Sequence, residues 1–98
     1  MRTLEVTKVT LRKKKYEIIG VNFCEEEPGI PSGLIYSIDQ GSLASITNLH
    51  EGQQIISVNG QPVDTNDDIV QMIRGHAGIL TLEVINPDDV SFLIQSYV

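Results

Sequence analysis

The stretch "GLIYSIDQGSLASITNLHEGQQIISVNG", Gly33 to Gly60, contains two patterns in a fixed order. The first is G-x-x-x-S-x-x-x-G-S-x-A, and the second is E-G-x-x-I-x-x-V-N-G. "LIYSID" (34–39) predicts a strand, "QGSLASI" (40–46) a turn that enters a short helix, and "QQIISVNGQPV" (53–63) two strands joined by Asn59-Gly60. An Asn-Gly pair accepts the positive φ angles of a tight hairpin turn, so this turn is the firmest local prediction.

The flanking segments predict three further strands and one longer helix. Alternating residues in "LEVTKVTL" (4–11) and "GILTLEVIN" (78–86) have the period of half-buried strands, and "EIIGVNF" (17–23) is a strand interrupted by Gly20. "DTNDDIVQMIRG" (64–75) predicts a helix with Thr65 as its cap. "EEEPGIPSG" (25–33), which holds two prolines and a run of like charges, predicts a loop.

These elements predict a small α+β domain, a partly open barrel or sandwich of five to six strands with one long and one short helix. A length of 98 residues with 41% hydrophobic and 20% charged residues is typical of one soluble globular domain. We expect no membrane span and no signal peptide, since no apolar run is long enough. The single cysteine, Cys24, excludes an intrachain disulfide and is typical of a cytoplasmic setting.

The charge is unevenly distributed along the chain. The formal net charge is −6, yet six of the seven basic residues precede Tyr16. Phosphate binding along a duplex requires a broad basic face, so this acidic chain is not expected to bind nucleic acid.

In order, the basic cluster, "IIGV" (18–21), the two patterns above, a helix and a final strand make the sequence resemble a PDZ domain over residues 4–86. The order is similar to the animal-type, non-permuted arrangement. The resemblance implies a scaffold or adaptor module, for example in signalling, that binds the free C-terminus of partner proteins. The peptide would be added as a β-strand between the second strand and the long helix. Residues 87–98 would be a C-terminal tail.

The resemblance also assigns a carboxylate-binding loop. Ile19, Gly20 and Val21 would present backbone N–H groups to the peptide carboxylate, and a side chain at Gly20 would crowd that approach. The family's usual glycine before this motif is Ile18 here. The resemblance also implies a cation that stabilises the carboxylate through a water molecule, and its position corresponds to Lys14, with Lys13 or Lys15 as substitutes. Alternatively, these lysines belong to a solvated loop.

The terminal side chain of the peptide would enter a pocket lined by Ile19, Val21, Phe23, Val70 and Ile73. All five are apolar, so partners ending in Val, Leu or Ile are expected; alternatively, these residues are core. Asn66 would take the helix position that often holds a histidine reading a Ser or Thr hydroxyl two residues before the terminus. A shift of one residue would put Asp67 there instead.

Catalysis, a metal site and a cofactor are not expected. Cys24, His50 and His76 stand in no recognisable catalytic context, and Glu25 to Glu27 lack the alternating spacing of a calcium loop. This acidic run fits a solubilising loop, or one that attracts basic residues farther up the peptide.

Two alternatives remain open. The basic stretch Arg12 to Lys15 could contact anionic lipid, although four cations are few for this purpose and the acidic remainder makes membrane contact unfavourable. The tail ends in Ser96-Tyr97-Val98, which has the pattern of a PDZ ligand and could enter the groove of a neighbouring copy. The tail could instead be a flexible remnant, an extra strand that packs on the domain, or the start of a neighbouring domain.

Overall fold

A computed structural model describes residues 5–86. Within these residues, the fold has six strands, one α-helix and one 3₁₀ turn. In chain order they are β1 (Val6–Lys13), β2 (Val21–Phe23), β3 (Ile35–Ile38), the 3₁₀ turn (Ala44–Ile46), β4 (Gln54–Val58), β5 (Gln61–Pro62), α1 (Asn66–Gly75) and β6 (Gly78–Ile85). The predicted α+β class, with one long and one short helical element, is confirmed.

The strands form two antiparallel sheets that do not close into a barrel. The larger sheet has the order β1-β6-β4-β5, and β2 pairs only with β3 among the described strands. β4 and β5 are joined through Asn59 and Gly60, both at positive φ, as the Asn-Gly pair predicts. The two-stranded sheet leaves one long edge of β2 without a strand partner in the described part of the chain.

The helix follows its predicted bounds closely. The side chain of Thr65 accepts a hydrogen bond from Asp68 N over 3.1 Å, and Asp67 and Asp68 lie in the first turn, where negative charge is favourable. Ile69 and Ile73 are buried on one face of α1. This face packs into a core with apolar residues from both sheets.

Strand β2 is shorter than its sequence predicts. Residues 17–20 are irregular: Tyr16 before them and Gly20 at their end have positive φ angles of 65° and 89°, which turn the backbone away from the extended conformation of a regular strand. The register between β2 and β3 also shifts between Asn22 and Phe23. This irregular segment contains Ile19 and Gly20, two of the three residues whose amides the sequence assigns to the carboxylate, and the third, Val21, begins β2.

Candidate functional site

A groove of about 320 Å³ lies between β2 and α1. One wall is the segment that leads into and along β2, and the other is the C-terminal half of the helix. The lining residues are Glu17, Ile18, Ile19, Gly20, Val21, Asn22, Phe23, Asp39, Val70, Ile73 and Arg74.

The groove brings together six of the eight residues that the sequence assigns to the site: Ile19, Gly20, Val21, Phe23, Val70 and Ile73. Two of them, Ile19 and Ile73, are only 4% and 5% exposed and also belong to the hydrophobic core. For these two, the groove and the core interpretations both hold, since the floor of the groove is the outer surface of the core. Val21 and Phe23 are half-buried against the same core.

The loop before β2 is held by its carbonyl groups. The carbonyl of Ile19 accepts from Ala44 N, and that of Gly20 accepts from Asp39 N, each over 2.8 Å. Among the residues that the structure describes, the N–H groups of Ile19 and Gly20 donate to no acceptor. Two adjacent backbone donors therefore line one end of the groove while their own carbonyls are fixed behind them.

The structure adds a second reason for Gly20 to the crowding of the carboxylate that the sequence predicts, which stays a prediction. A Cβ at this position would collide with Cβ and Oγ of Ser42 and would lie 3.3 Å from Cβ of Asp39. The φ angle of 89° also lies in the region that disfavours residues with a side chain. The missing side chain allows the loop to pack against Ser42, which fixes the direction of its backbone.

The free edge of β2 follows from the register. Because Asp39 N bonds to the carbonyl of Gly20, the next opposed pair, Val21 and Ile38, is a non-hydrogen-bonded pair of the antiparallel ladder. The backbone groups of Val21 therefore point away from β3. The backbone N–H and C=O groups of successive residues in a strand point alternately toward and away from the neighbouring strand. The backbone groups of Phe23 therefore also point away from β3, and Cys24 N again donates to Leu34 O, over 2.9 Å.

Lys14 does not line this groove. It borders a separate depression with Arg12, Lys13, Lys15 and others, so its carboxylate role stays a prediction. Lys13 is 3% exposed, and its Nζ donates to the carbonyls of Lys14 and His76 over 2.7 Å each. Two of the three N–H groups of its ammonium are therefore used inside the domain.

Arg74 is the cation that lines the groove, and the sequence did not identify it as a site residue. The available signal was its spacing: Arg74 is four residues after Val70, so the two share a helix face. Glu17 and Asp39, also missed, line the same groove. Their carboxylates accept hydrogen bonds, from Lys14 N and from the Asn22 amide over 2.8 Å each.

Asn66 is absent from the lining because its side chain turns toward the loop that precedes β3. Its Nδ2 donates to Cys24 O over 2.8 Å, and its Oδ1 accepts from Gly33 N over 2.7 Å. One N–H of the amide and one lone pair of its oxygen are left for a ligand hydroxyl. The reading role predicted for Asn66, or for the exposed Asp67, stays a prediction.

Arg12, Lys14 and Lys15 are exposed, so burial of Lys13 leaves three cations of the basic stretch available to lipid. Within residues 5–86, no three His, Cys, Asp or Glu side chains are grouped as metal ligands would be, and no helix is long and apolar enough to cross a membrane. The tail ligand Ser96-Tyr97-Val98 lies outside the described residues.

The sequence of this chain is similar to a known family and to known proteins. The sequence model of the family described as "PDZ domain" matches residues 8–85. "Serine protease HTR4" of Rattus norvegicus is 34% identical over 67 residues, and "Serine protease HTRA4" of Mus musculus is 33% identical over 69. These matches cover 67% and 69% of this chain but only 14% of each relative, so the likeness is confined to a small part of those proteins.

Proposed function

The chain belongs to the PDZ domain family, whose members are non-catalytic modules that bind partner proteins, and from this premise we propose that its groove binds the free C-terminus of a partner ending in Val, Leu or Ile. The observation that carries the proposal is the pair of unengaged amides of Ile19 and Gly20 beside an apolar pocket. Amides of this kind bind an anion such as a terminal carboxylate.

The pocket supports the preference for an aliphatic terminus. Ile19, Val21, Phe23, Val70 and Ile73 provide apolar walls close to the two amides. Burying a Val, Leu or Ile side chain contributes about 1.5–3 kcal/mol, whereas a charged terminal side chain would lose its hydration against these five apolar side chains.

The outer edge of β2 supports the mode of binding. Val21 and Phe23 each direct a backbone N–H and C=O toward the groove, so an extended peptide would pair with them as an additional antiparallel strand. These main-chain bonds are independent of sequence and contribute affinity. Selection would come from the pocket. The domain itself would have no enzymatic activity, and its parent would use it as a cytoplasmic scaffold or adaptor, for example in signalling.

The carboxylate role is tested with a C-terminal peptide array, followed by a comparison of the best peptide with its C-terminally amidated form. Hydrogen bonds to a charged group contribute about 1.5–3 kcal/mol, so amidation should weaken binding by at least about tenfold. Unchanged affinity of the amidated peptide would contradict the proposal.

Self-association through the tail is a further proposal for the 98-residue polypeptide. Val98 of one copy would enter the groove of the next, a head-to-tail contact that builds chains or rings. Sedimentation velocity at high concentration should show larger species that disappear when Ser96 to Val98 are deleted. Identical sedimentation of the two polypeptides would refute it.

A further inference from the structure

The upstream end of the groove, where residues before the peptide terminus would leave it, is crossed by a hydrogen bond. Cys24 directly follows β2, and Asn66 is the first residue of α1. The bond from Asn66 Nδ2 to Cys24 O, 2.8 Å long, therefore joins the two walls of the groove. Neither residue lines the groove, whose lining ends at Phe23 on one wall and Val70 on the other.

Asn66 also fixes the loop that follows β2. Its Oδ1 accepts from Gly33 N over 2.7 Å, and its backbone N–H donates to the carboxylate of Glu26. The three bonds hold Cys24 and Glu26 near the beginning of segment 24–33, and Gly33 at its end, against the start of α1. The helix N-terminus favours the negative charge of Glu26, which strengthens this attachment.

Gly33 has little freedom to move away from this arrangement. Its φ angle is 82°, and a Cβ there would collide with the carbonyl oxygen of Ile55 in β4. Gln54 Nε2 donates to Ser32 O over 3.1 Å next to it. The loop end is thus packed on β4 on one side and bonded to Asn66 on the other, so the bond from Asn66 to Cys24 starts from a fixed side chain.

The bond between Asn66 and Cys24 lies just beyond the part of β2 that can pair with a peptide. Only Val21 and Phe23 turn their backbone groups outward, and in an antiparallel addition they would pair with the last and the third-from-last residues. The next outward position is residue 25, beyond the bond between Cys24 and Asn66. A residue upstream of the third from last would meet this bond instead of an open edge.

We propose that Asn66 is a positioning residue that limits recognition to the last three residues of a partner, by closing the upstream end of the groove through Cys24. This inference rests on the proposed function. Each main-chain bond adds about 0.5–1.5 kcal/mol, so opening this end would let longer peptides gain affinity that the closed groove denies them.

The test compares acetylated peptides of three and eight residues that share the same last three residues, in competition against a fluorescent eight-residue probe. The variants are Asn66→Asp, which keeps an oxygen for Gly33 N but loses the donor to Cys24 O, and Asn66→Ala, which loses both bonds. Thr65→Ala is the matched control, since it removes the helix cap and leaves Asn66 in place. In the wild type the two lengths should bind within about threefold of each other.

Both Asn66 variants should favour the longer peptide by about tenfold more than the wild type does, whereas Thr65→Ala should keep the wild-type ratio. A purely structural role for Asn66 would weaken both lengths alike and leave the ratio unchanged, and this result would overturn the inference. A wild-type preference for eight residues over three of about tenfold or more would overturn it as well.

Failure of the proposed function would look different, because the amidated and free-acid forms of the eight-residue peptide would then bind the wild type equally. The bond from Gly33 N to Asn66 Oδ1, which positions the Asn66 side chain, is checked separately by amide hydrogen exchange. Gly33 N–H should exchange at least about tenfold faster in Asn66→Ala than in the wild type or in Thr65→Ala. Equal exchange in all three proteins would refute this bond, and with it the fixed position of the Asn66 side chain on which the inference depends.

Discussion

The backbone N–H of Tyr16 donates to the carbonyl of Arg74 over 2.8 Å. This bond ties the beginning of the loop that carries Ile19 and Gly20 to the last turn of α1. At the other end of the groove, Asn66 bonds to Cys24. The two walls are therefore fastened at both ends, and the width of the groove between them is set before any ligand arrives, which reduces the entropic cost of binding.

Replacement of Gly20 should show how much the contact with Ser42 matters. Gly20→Ala meets both a left-handed φ angle and a collision, whereas Gly29→Ala meets a φ angle of 87° with no atom within 4 Å. Gly29→Ala should cost about 1–2 kcal/mol of unfolding free energy, and Gly20→Ala at least about 1 kcal/mol more. Urea unfolding measures both. Equal costs would show that the loop yields without strain.

An aromatic residue at position 73 should narrow the pocket without unfolding the domain. Ile73 is buried but lines the groove, while Ile69 is fully buried one turn earlier and does not. Overpacking a closed site costs about 1–3 kcal/mol, so Ile69→Phe should destabilise the fold by that amount and Ile73→Phe by less than about 1 kcal/mol. Ile73→Phe should also abolish the preference for terminal Val over Ala. If Ile73→Phe unfolds the protein, Ile73 acts as closed core.

The cation that serves the carboxylate can be identified by neutralising each candidate. Arg74 lines the groove and Lys14 does not. Both are exposed, and exposed charge pairs contribute up to about 1 kcal/mol, so Arg74→Gln should weaken binding of a free-acid peptide by about three- to fivefold. Lys14→Gln should change it by less than about twofold. Fluorescence polarisation at two salt concentrations provides the measurement, and a larger loss in Lys14→Gln would support the water-mediated role predicted from the sequence.

The sequence by itself determined the elements that depend on neighbouring residues. The bounds of α1, its Thr65 cap and the Asn59-Gly60 turn follow from short-range propensity and hydrogen bonding, and the structure contains them where they were predicted. The ordered glycine, serine and hydrophobic positions also indicated the family and thereby six residues of the groove. These features can be predicted from the sequence because each depends on a few adjacent residues or on one recurring period.

Only the tertiary structure decided which polar side chains face the groove. Lys13 bonds to His76 across 63 positions of sequence, and Asn66 bonds to Cys24 across 42, so neither side chain is free as its local sequence suggests. A side chain at position 20 would collide with Ser42, which belongs to a turn elsewhere in the chain. Arg74 lines the groove because α1 lies beside β2. The large majority of buried polar groups are hydrogen-bonded to a partner that the folded chain provides. The identity of that partner is set by which segments pack together, which no local pattern records.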